Sequence, residues 1–166
     1  MMFRRATTAD IPDIMEIITD AQQLLRSLSV DQWQDGYPDE QQIATDIANS
    51  EMYVAEASGA IVAMTVISFR GEPTYRIIEG RWLNESHYAV VHRAAVRKSA
   101  YGRNLGRAIL NYAEELCRNR DIDNIRIDTH LDNKIMQHLL LSSGYTHCGT
   151  ITISSGAKRE AYQKEL

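Results

Sequence analysis

Val96-Arg97-Lys98-Ser99-Ala100-Tyr101-Gly102-Arg103-Asn104-Leu105-Gly106-Arg107 joins two segments of opposite periodicity. Before it, Tyr88 to Val96 reads as a strand built from Tyr, Val and Ala. After it, Leu105, Ala108, Ile109, Tyr112, Ala113, Leu116 and Cys117 fall on one helical face, which predicts a helix from about Asn104 to Arg120. The next alternating run, Ile125 to Thr129, is a second strand. A strand, a helix and a strand in that order predict a right-handed crossover joining parallel strands.

The rest of the chain builds outward from this unit. Phe3 to Ala6 predicts a short strand, and Thr7 to Asp10 offers helix caps ahead of Pro12. Ile11, Ile14, Met15, Ile18, Ala21, Leu25 and Leu28 predict a long amphipathic helix ending near Ser29. A polar loop carrying Trp33 and Tyr37 follows, then a helix from Asp39 to Ala48 with Ile43 and Ile47 inward. Met52 to Ala57 and Ala60 to Phe69 read as a hairpin about Ser58-Gly59. Gly71-Glu72-Pro73 breaks it, and Thr74 to Glu85 is irregular. A helix from Asn133 to Ser143 stops at Gly144, and strands Thr146 to Ile153 and Arg159 to Leu166 close the chain. No repeat, linker or low-complexity segment interrupts the pattern. Residues 1–166 are therefore expected to form one α/β (α+β) domain, a mixed sheet with helices on both faces.

Composition bounds the function. The 166 residues are 44% hydrophobic and 24% charged, which is ordinary for a globular domain and argues against a disordered or fibrous chain. A net charge of -4 disfavours nucleic acid as the main partner, since phosphate contacts need a basic face. No apolar run is long enough to span a bilayer, so no membrane partner is expected. The first ten residues hold no apolar signal stretch. Cys117 and Cys148 are too few for a disulfide framework and read as reduced core thiols of a cytoplasmic protein. His87, His130, His138 and His147 lack compact ligand spacing, so no metal is expected.

The quoted turn is where chemistry is expected. Unpaired N–H groups at a helix start, together with the helix dipole, suit a phosphate or pyrophosphate. Gly102 and Gly106 let backbone approach such an anion, and Asn104 tolerates a left-handed conformation. Arg103 and Arg107 add charge and donors. The alternative is a plain turn with a helix cap. A triphosphate P-loop is excluded because no Lys-Ser/Thr pair follows the second glycine, and the glycine spacing is not that of a dinucleotide fingerprint.

Ala94-Ala95-Val96, the Gly102-Arg103-Asn104-Leu105-Gly106 loop and the helix after it resemble the acetyl-CoA-binding core of GNAT-superfamily N-acetyltransferases. Asp128-Thr129-His130-Leu131-Asp132-Asn133, continuing through Met136 and Leu139 to Gly144-Tyr145, is similar to that superfamily's next motif. Phe3-Arg4-Arg5-Ala6-Thr7 through Ile11 resembles its first strand and helix. The resemblance implies a mostly antiparallel sheet of about seven strands whose central parallel pair splays apart. It implies acetyl-CoA as cofactor. The pantetheine arm would pair with backbone near Ala94, Ala95 and Val96, and the pyrophosphate would lie on residues from Tyr101 to Arg107, with Asn133 a further pantetheine contact or a helix cap. An N–H near Ala94 or Ala95 would polarise the thioester carbonyl. The acceptor would be a small-molecule or peptide amine, and such domains commonly form homodimers. Three positions depart from the family pattern. Tyr101 stands where Gln or Arg is usual, Asn104 where Gly is usual, and Leu140 where many members carry the Tyr that protonates the departing thiolate.

His92 is the candidate base. Strand alternation places it on the face of Ala94 and Val96, and no Glu or Asp lies between Tyr88 and Val96 to do the same work. A structural histidine is the alternative. Trp33, Tyr37, Tyr75 and Trp82 are candidate walls of the acceptor cleft, or core plugs under long loops. Three functions remain in competition. They are an N-acetyltransferase acting by direct amine attack, a catalytically degenerate module that binds CoA or acyl-CoA as a sensor, and a nucleotide-binding module using the same loop.

Overall fold

The computed structural model describes all residues, 1–166. Its elements are β1 (Met2–Arg5), α1 (Ile11–Ser27), α2 (Glu40–Ala48), β2 (Met52–Ala57), β3 (Ala60–Ser68), β4 (Glu79–Gly80), β5 (Ala89–Val96), α3 (Leu105–Arg118), β6 (Asn124–His130), α4 (Lys134–Ser142), β7 (Thr146–Thr152) and β8 (Lys158–Glu165). Short 3-10 turns at Thr8–Asp10, Pro73–Arg76 and Lys98–Ala100 complete them. The sheet has eight strands in the order β1-β2-β3-β5-β6-β8-β7-β4, one more than the seven expected. The extra strand is β4, two residues long, inside the segment expected to be irregular. Glu-Gly carries no strand periodicity, and β4 exists because Gly80 pairs with Gly149 of β7. Each glycine sits at φ +138°, and a Cβ on either would lie 2.2 Å from a backbone oxygen across the pair. No helix is long and apolar enough to cross a membrane.

The chain divides into two compact units. The first comprises residues 1–67 and 93–112. Here β1 pairs antiparallel with β2 from Met2↔Glu56 to Arg5↔Tyr53, and β2 with β3 across a register shift at Ala55/Glu56. Alternation along these strands separates two cores. On one face Ile14, Ile17 and Ile18 of α1 and Ile43 of α2 pack on Met52, Val54, Met64, Val66 and Ala95. On the other, Leu105 and Ile109 of α3 pack on Ala55, Val62 and Ala63, with Ala94 and Val96 against them. The unit therefore carries helices on both faces, as the sequence predicts. The burial of Ile14, Ile18 and Ile43 follows the apolar stripes.

The second unit comprises residues 68–92 and 113–166. β6 and β8 pair antiparallel over seven residues, from Asn124↔Glu165 to His130↔Arg159, and β8 pairs onward with β7. The parallel pairing of β5 with β6 is confined to Ala89↔Ile125 and Val90↔Arg126. One core gathers Tyr75, Trp82, Val90, Cys148, Ile151 and Ala161. The guanidinium of Arg126 is stacked between the rings of Trp82 and Tyr88, at 4.2 and 4.0 Å from their centroids. It donates to the carbonyl of Asn84 at 2.6 Å and to Gln163 Oε1 at 3.3 Å.

Candidate active site

In the first unit, the end of β5 and the turn into α3 form an anchored loop. Arg97 N–H donates to the carbonyl of Val62 at 2.8 Å. Its guanidinium donates to Asp13 at 2.6 Å and Glu16 at 2.7 Å. Lys98 N–H donates to Asp20 at 2.7 Å. The acidic side of α1 thus fixes where the loop begins and neutralises Arg97. Ala100 is buried in the α3-side core, while Tyr101 is 40% exposed. Partial burial, with Asp20 nearby, holds the Tyr101 phenol above its ordinary value, so it is neutral near pH 7.

Beyond Tyr101 the backbone turns through two left-handed residues, Gly102 at φ +78° and Asn104 at φ +56°. The second explains a departure from the family pattern. This position needs a positive φ, which glycine adopts freely, and asparagine is among the few side chains that tolerate it. The first α3 bond runs from Ala108 N–H to the Asn104 carbonyl at 3.1 Å. The N–H groups of Leu105, Gly106 and Arg107 lie ahead of it, in the open first turn. Arg103 and Arg107 are exposed beside them. This donor set suits a pyrophosphate in both charge and reach.

Arg93 is the turning point of β5, at φ +47° within the strand. Ala95 packs on the α1 and α2 side, and Ala94 and Val96 on the α3 side. The left-handed residue interrupts the alternation, so the direction of His92 does not follow from that of Ala94 as simple parity predicts. Arg93 itself donates to both oxygens of Asp46 and to the Tyr37 hydroxyl. Tyr37 is 39% exposed. Trp33, at φ +60°, is half-buried against the α1 core.

In the second unit His92 meets an unexpected partner. Its Nε2 lies 3.5 Å from Glu72 Oε2. Tyr75 and Trp82 are 1% and 5% exposed, so they fill the core of this unit rather than line an open wall. The Tyr75 hydroxyl donates to Asp128 at 2.7 Å, and the Trp82 indole donates to the Tyr75 carbonyl at 2.9 Å. Burial, with Asp128 beside it, pushes the Tyr75 phenol well above its usual value. Asn133 accepts from Met136 N–H at 3.1 Å, which is the helix-cap arrangement. Leu140 is fully buried. Burial pushes the Cys117 thiol up to about 12, consistent with an inert core residue.

Sequence reasoning missed Glu72, Asp46, Arg93 and Asp128. Glu72 lies in Gly71-Glu72-Pro73, which reads only as a strand breaker, and nothing in its neighbours announces a side-chain partner twenty residues away.

Residues 13–145 match the acetyltransferase (GNAT) family model. The chain belongs to the GNAT acetyltransferase family. An acetyltransferase of this family from Streptococcus agalactiae is 33% identical, with a TM-score of 0.90 over 99% of this chain and 95% of that one. A ribosomal-protein-alanine N-acetyltransferase from Brucella melitensis is 21% identical, with a TM-score of 0.72 over 100% of both chains. The yncA protein from Salmonella typhimurium, solved with its cofactor acetyl-CoA, is 18% identical, with a TM-score of 0.71 over 100% of this chain and 94% of that one. The last two share the fold. A search of the curated proteins returned no match.

Proposed function

We propose that the protein is an acetyl-CoA-dependent N-acetyltransferase acting on a primary amine in the cytoplasm. The carrying observation is the open first turn of α3, entered through the left-handed Asn104. Acetyl-CoA supplies the acetyl group already activated as a thioester. The N–H groups of residues 102–107, with Arg103 and Arg107, hold its pyrophosphate. The backbone of Ala94, Ala95 and Val96 binds the pantetheine arm as an added strand, and an N–H of Ala94 or Ala95 is the donor to the thioester oxygen. Asn133, which caps α4, is a further pantetheine contact. His92 takes the proton of the attacking amine. Trp33 and Tyr37 face the acceptor.

One observation favours a second reading, a CoA-binding module without chemistry. Leu140 is buried and has no proton to give at the position where many family members carry Tyr. Release of CoA thiol, measured against a panel of small and peptide amines, separates the two. Amine-dependent release that drops 10²- to 10⁴-fold in His92→Ala supports the enzyme. Calorimetric CoA binding with no release for any amine supports the module. Tight ATP binding without CoA binding would overturn both.

A further inference from the structure

The loop between α1 and α2 has its backbone held and one ring left open. Gln34 Nε2 donates to the carbonyls of Gln22 and Gln32, both at 3.0 Å, and Arg26 Nε donates to Gln34 Oε1 at 3.0 Å. Gln22 Nε2 donates to the Tyr37 carbonyl at 3.2 Å, and Asp39 caps α2 by accepting from Gln42 N–H at 2.8 Å. These bonds tie the loop to α1 and close it onto α2. Trp33 is packed against the core under α1, while Tyr37 keeps 39% of its exposure. Tyr37 is the more open of the two rings.

A bond of another kind joins this ring to the sheet. The Arg93 guanidinium gives Nε and Nη2 to the two oxygens of Asp46, each at 2.8 Å. Gln42 Nε2 donates to the same carboxylate at 3.0 Å. A guanidinium is planar, so fixing two of its nitrogens fixes the direction of the third. The third, Nη1, donates to the Tyr37 hydroxyl, and the guanidinium carbon lies 5.9 Å from the Tyr37 ring centroid. The side chains of Arg93 and Asp46 are 13% and 4% exposed, so the fork is anchored in a largely desolvated pair. Arg93 is also the left-handed residue of β5, directly before Ala94 and Ala95. The side chain that locates Tyr37 thus leaves the chain beside the backbone assigned to the thioester.

We infer that Arg93 is a positioning residue for the acceptor: clamped by Asp46, it fixes the Tyr37 wall relative to the Ala94 and Ala95 backbone, so that an amine resting on that wall meets the thioester carbon in attacking geometry. The inference rests on the acetyltransferase reading above and adds no group to the chemistry. Two consequences follow from the arrangement. Damage to the clamp should appear in the acceptor's constants and leave the cofactor's alone. Arg93 and Tyr37 should also behave as one unit, since the first works through the second.

Tyr37→Phe keeps the ring and loses the oxygen. Arg93→Lys keeps a charge for Asp46 and loses the fork, because one ammonium does not fix a direction towards both partners. Initial rates of thiol release are measured with butylamine, spermidine and trialanine as acceptors, and CoA binding is measured by calorimetry. A part-exposed hydrogen bond from a charged donor is worth about tenfold. The expected result is a KM for the best of the three amines about tenfold higher in each single variant, with the Kd of CoA within about twofold. The double variant should lose no more than about twofold beyond either single one, because both remove the same contact. Urea midpoints separate this role from a merely structural one: Arg93→Lys should lower the midpoint and Tyr37→Phe should barely move it, although both raise KM alike. Tyr37→Phe leaves the Arg93–Asp46 pair intact and carries the test even where Arg93→Lys folds poorly. An acceptor KM unmoved in Tyr37→Phe, or losses that multiply to about a hundredfold in the double variant, overturns the inference while the acetyltransferase reading stands. A wild-type protein that binds CoA and releases no thiol with any of the amines overturns that reading, and the inference falls with it.

Discussion

Arg93 grips Asp46 of α2 through two hydrogen bonds of 2.8 Å, although its own backbone stands at φ +47°. The side chains are 13% and 4% exposed, so the pair is largely desolvated. A bidentate guanidinium–carboxylate contact of this kind ties the bend of β5 to the helix that follows the Trp33 and Tyr37 loop. It fixes the strand on the residue next to His92.

Removing one partner leaves a buried charge unpaired, which typically costs about 3–5 kcal/mol. Arg93→Ala should therefore lose roughly 3 kcal/mol in urea unfolding, partly offset by relief at the positive φ. In a double-mutant cycle with Asp46→Asn, the coupling should exceed about 1 kcal/mol. Strict additivity of the two changes would show that the contact contributes nothing.

Asp10 predicts the acid side of stability. It is 7% exposed, takes both guanidinium nitrogens of Arg4 at 2.8 and 2.9 Å, and accepts from Thr7 N–H at 2.7 Å. The hydrogen bonds from Arg4 hold its carboxyl at about 2, below the ordinary 3.8. A folded value below the unfolded one stabilises above the unfolded value, and that stabilisation is lost as pH falls through the folded one. Discounted for solvent screening, on the order of 1 kcal/mol should disappear between about pH 4 and pH 2. Urea midpoints taken across that window should fall in the wild type. In Asp10→Asn this component of the slope should be missing; an unchanged slope would assign the acid sensitivity to other carboxylates.

The sequence made the strand–turn–helix legible because periodicity changes there from two to 3.6 within a dozen residues, and because Gly102 and Asn104 are the residue types that a left-handed turn requires. Arg93 shows the limit. Arginine gives no signal for a positive φ, so counting alternation straight through Tyr88 to Val96 missed the interruption. Loop aromatics show another: Tyr75 and Trp82 look the same in sequence as Tyr37, and only the tertiary packing buries the first two. Glu72 meets His92 across a break in periodicity, and such long-range side-chain pairs leave no mark on local pattern.

Asn104 and Gly106 test the cofactor loop. Alanine at a left-handed position costs about 1–2 kcal/mol, so Asn104→Ala should be destabilised by roughly 1 kcal/mol and bind CoA more weakly. Asn104→Gly fits the same φ and should hold CoA affinity within about threefold. Gly106→Val puts a branched side chain into the first turn and should weaken CoA by tenfold or more, about 1.4 kcal/mol, with the circular dichroism unchanged. Undiminished calorimetric affinity in folded Gly106→Val would place the anion site elsewhere.

Tyr145 carries a buried hydroxyl with no hydrogen-bond partner, on a residue 3% exposed. Burial also pushes its phenol far above the ordinary value. An unsatisfied buried hydroxyl costs about 1–3 kcal/mol. Tyr145→Phe should therefore be neutral or stabilising by up to about 1 kcal/mol in thermal unfolding, with CoA binding retained. A loss of more than about 1 kcal/mol would mean that a bound water satisfies the group.

Leu140 separates packing from chemistry at the position where the family often places a tyrosine. It is fully buried, and its carbonyl accepts from Tyr145 N–H at 3.1 Å and from Ser143 N–H at 3.0 Å, so its backbone closes the end of α4. Its side chain has no proton to give, so any donor for the leaving thiolate must be another group or water. On that basis Leu140→Ala is a core truncation. It should cost about 2–5 kcal/mol, set by how far the site collapses. In the folded fraction, CoA affinity should stay within about threefold and turnover should fall no further than the folded population does. Measuring turnover at a temperature well below the variant's unfolding midpoint removes the population effect. A selective drop in kcat there, with stability intact, would show that Leu140 shapes the reacting site directly, and the proton donor should then be sought among its contacts.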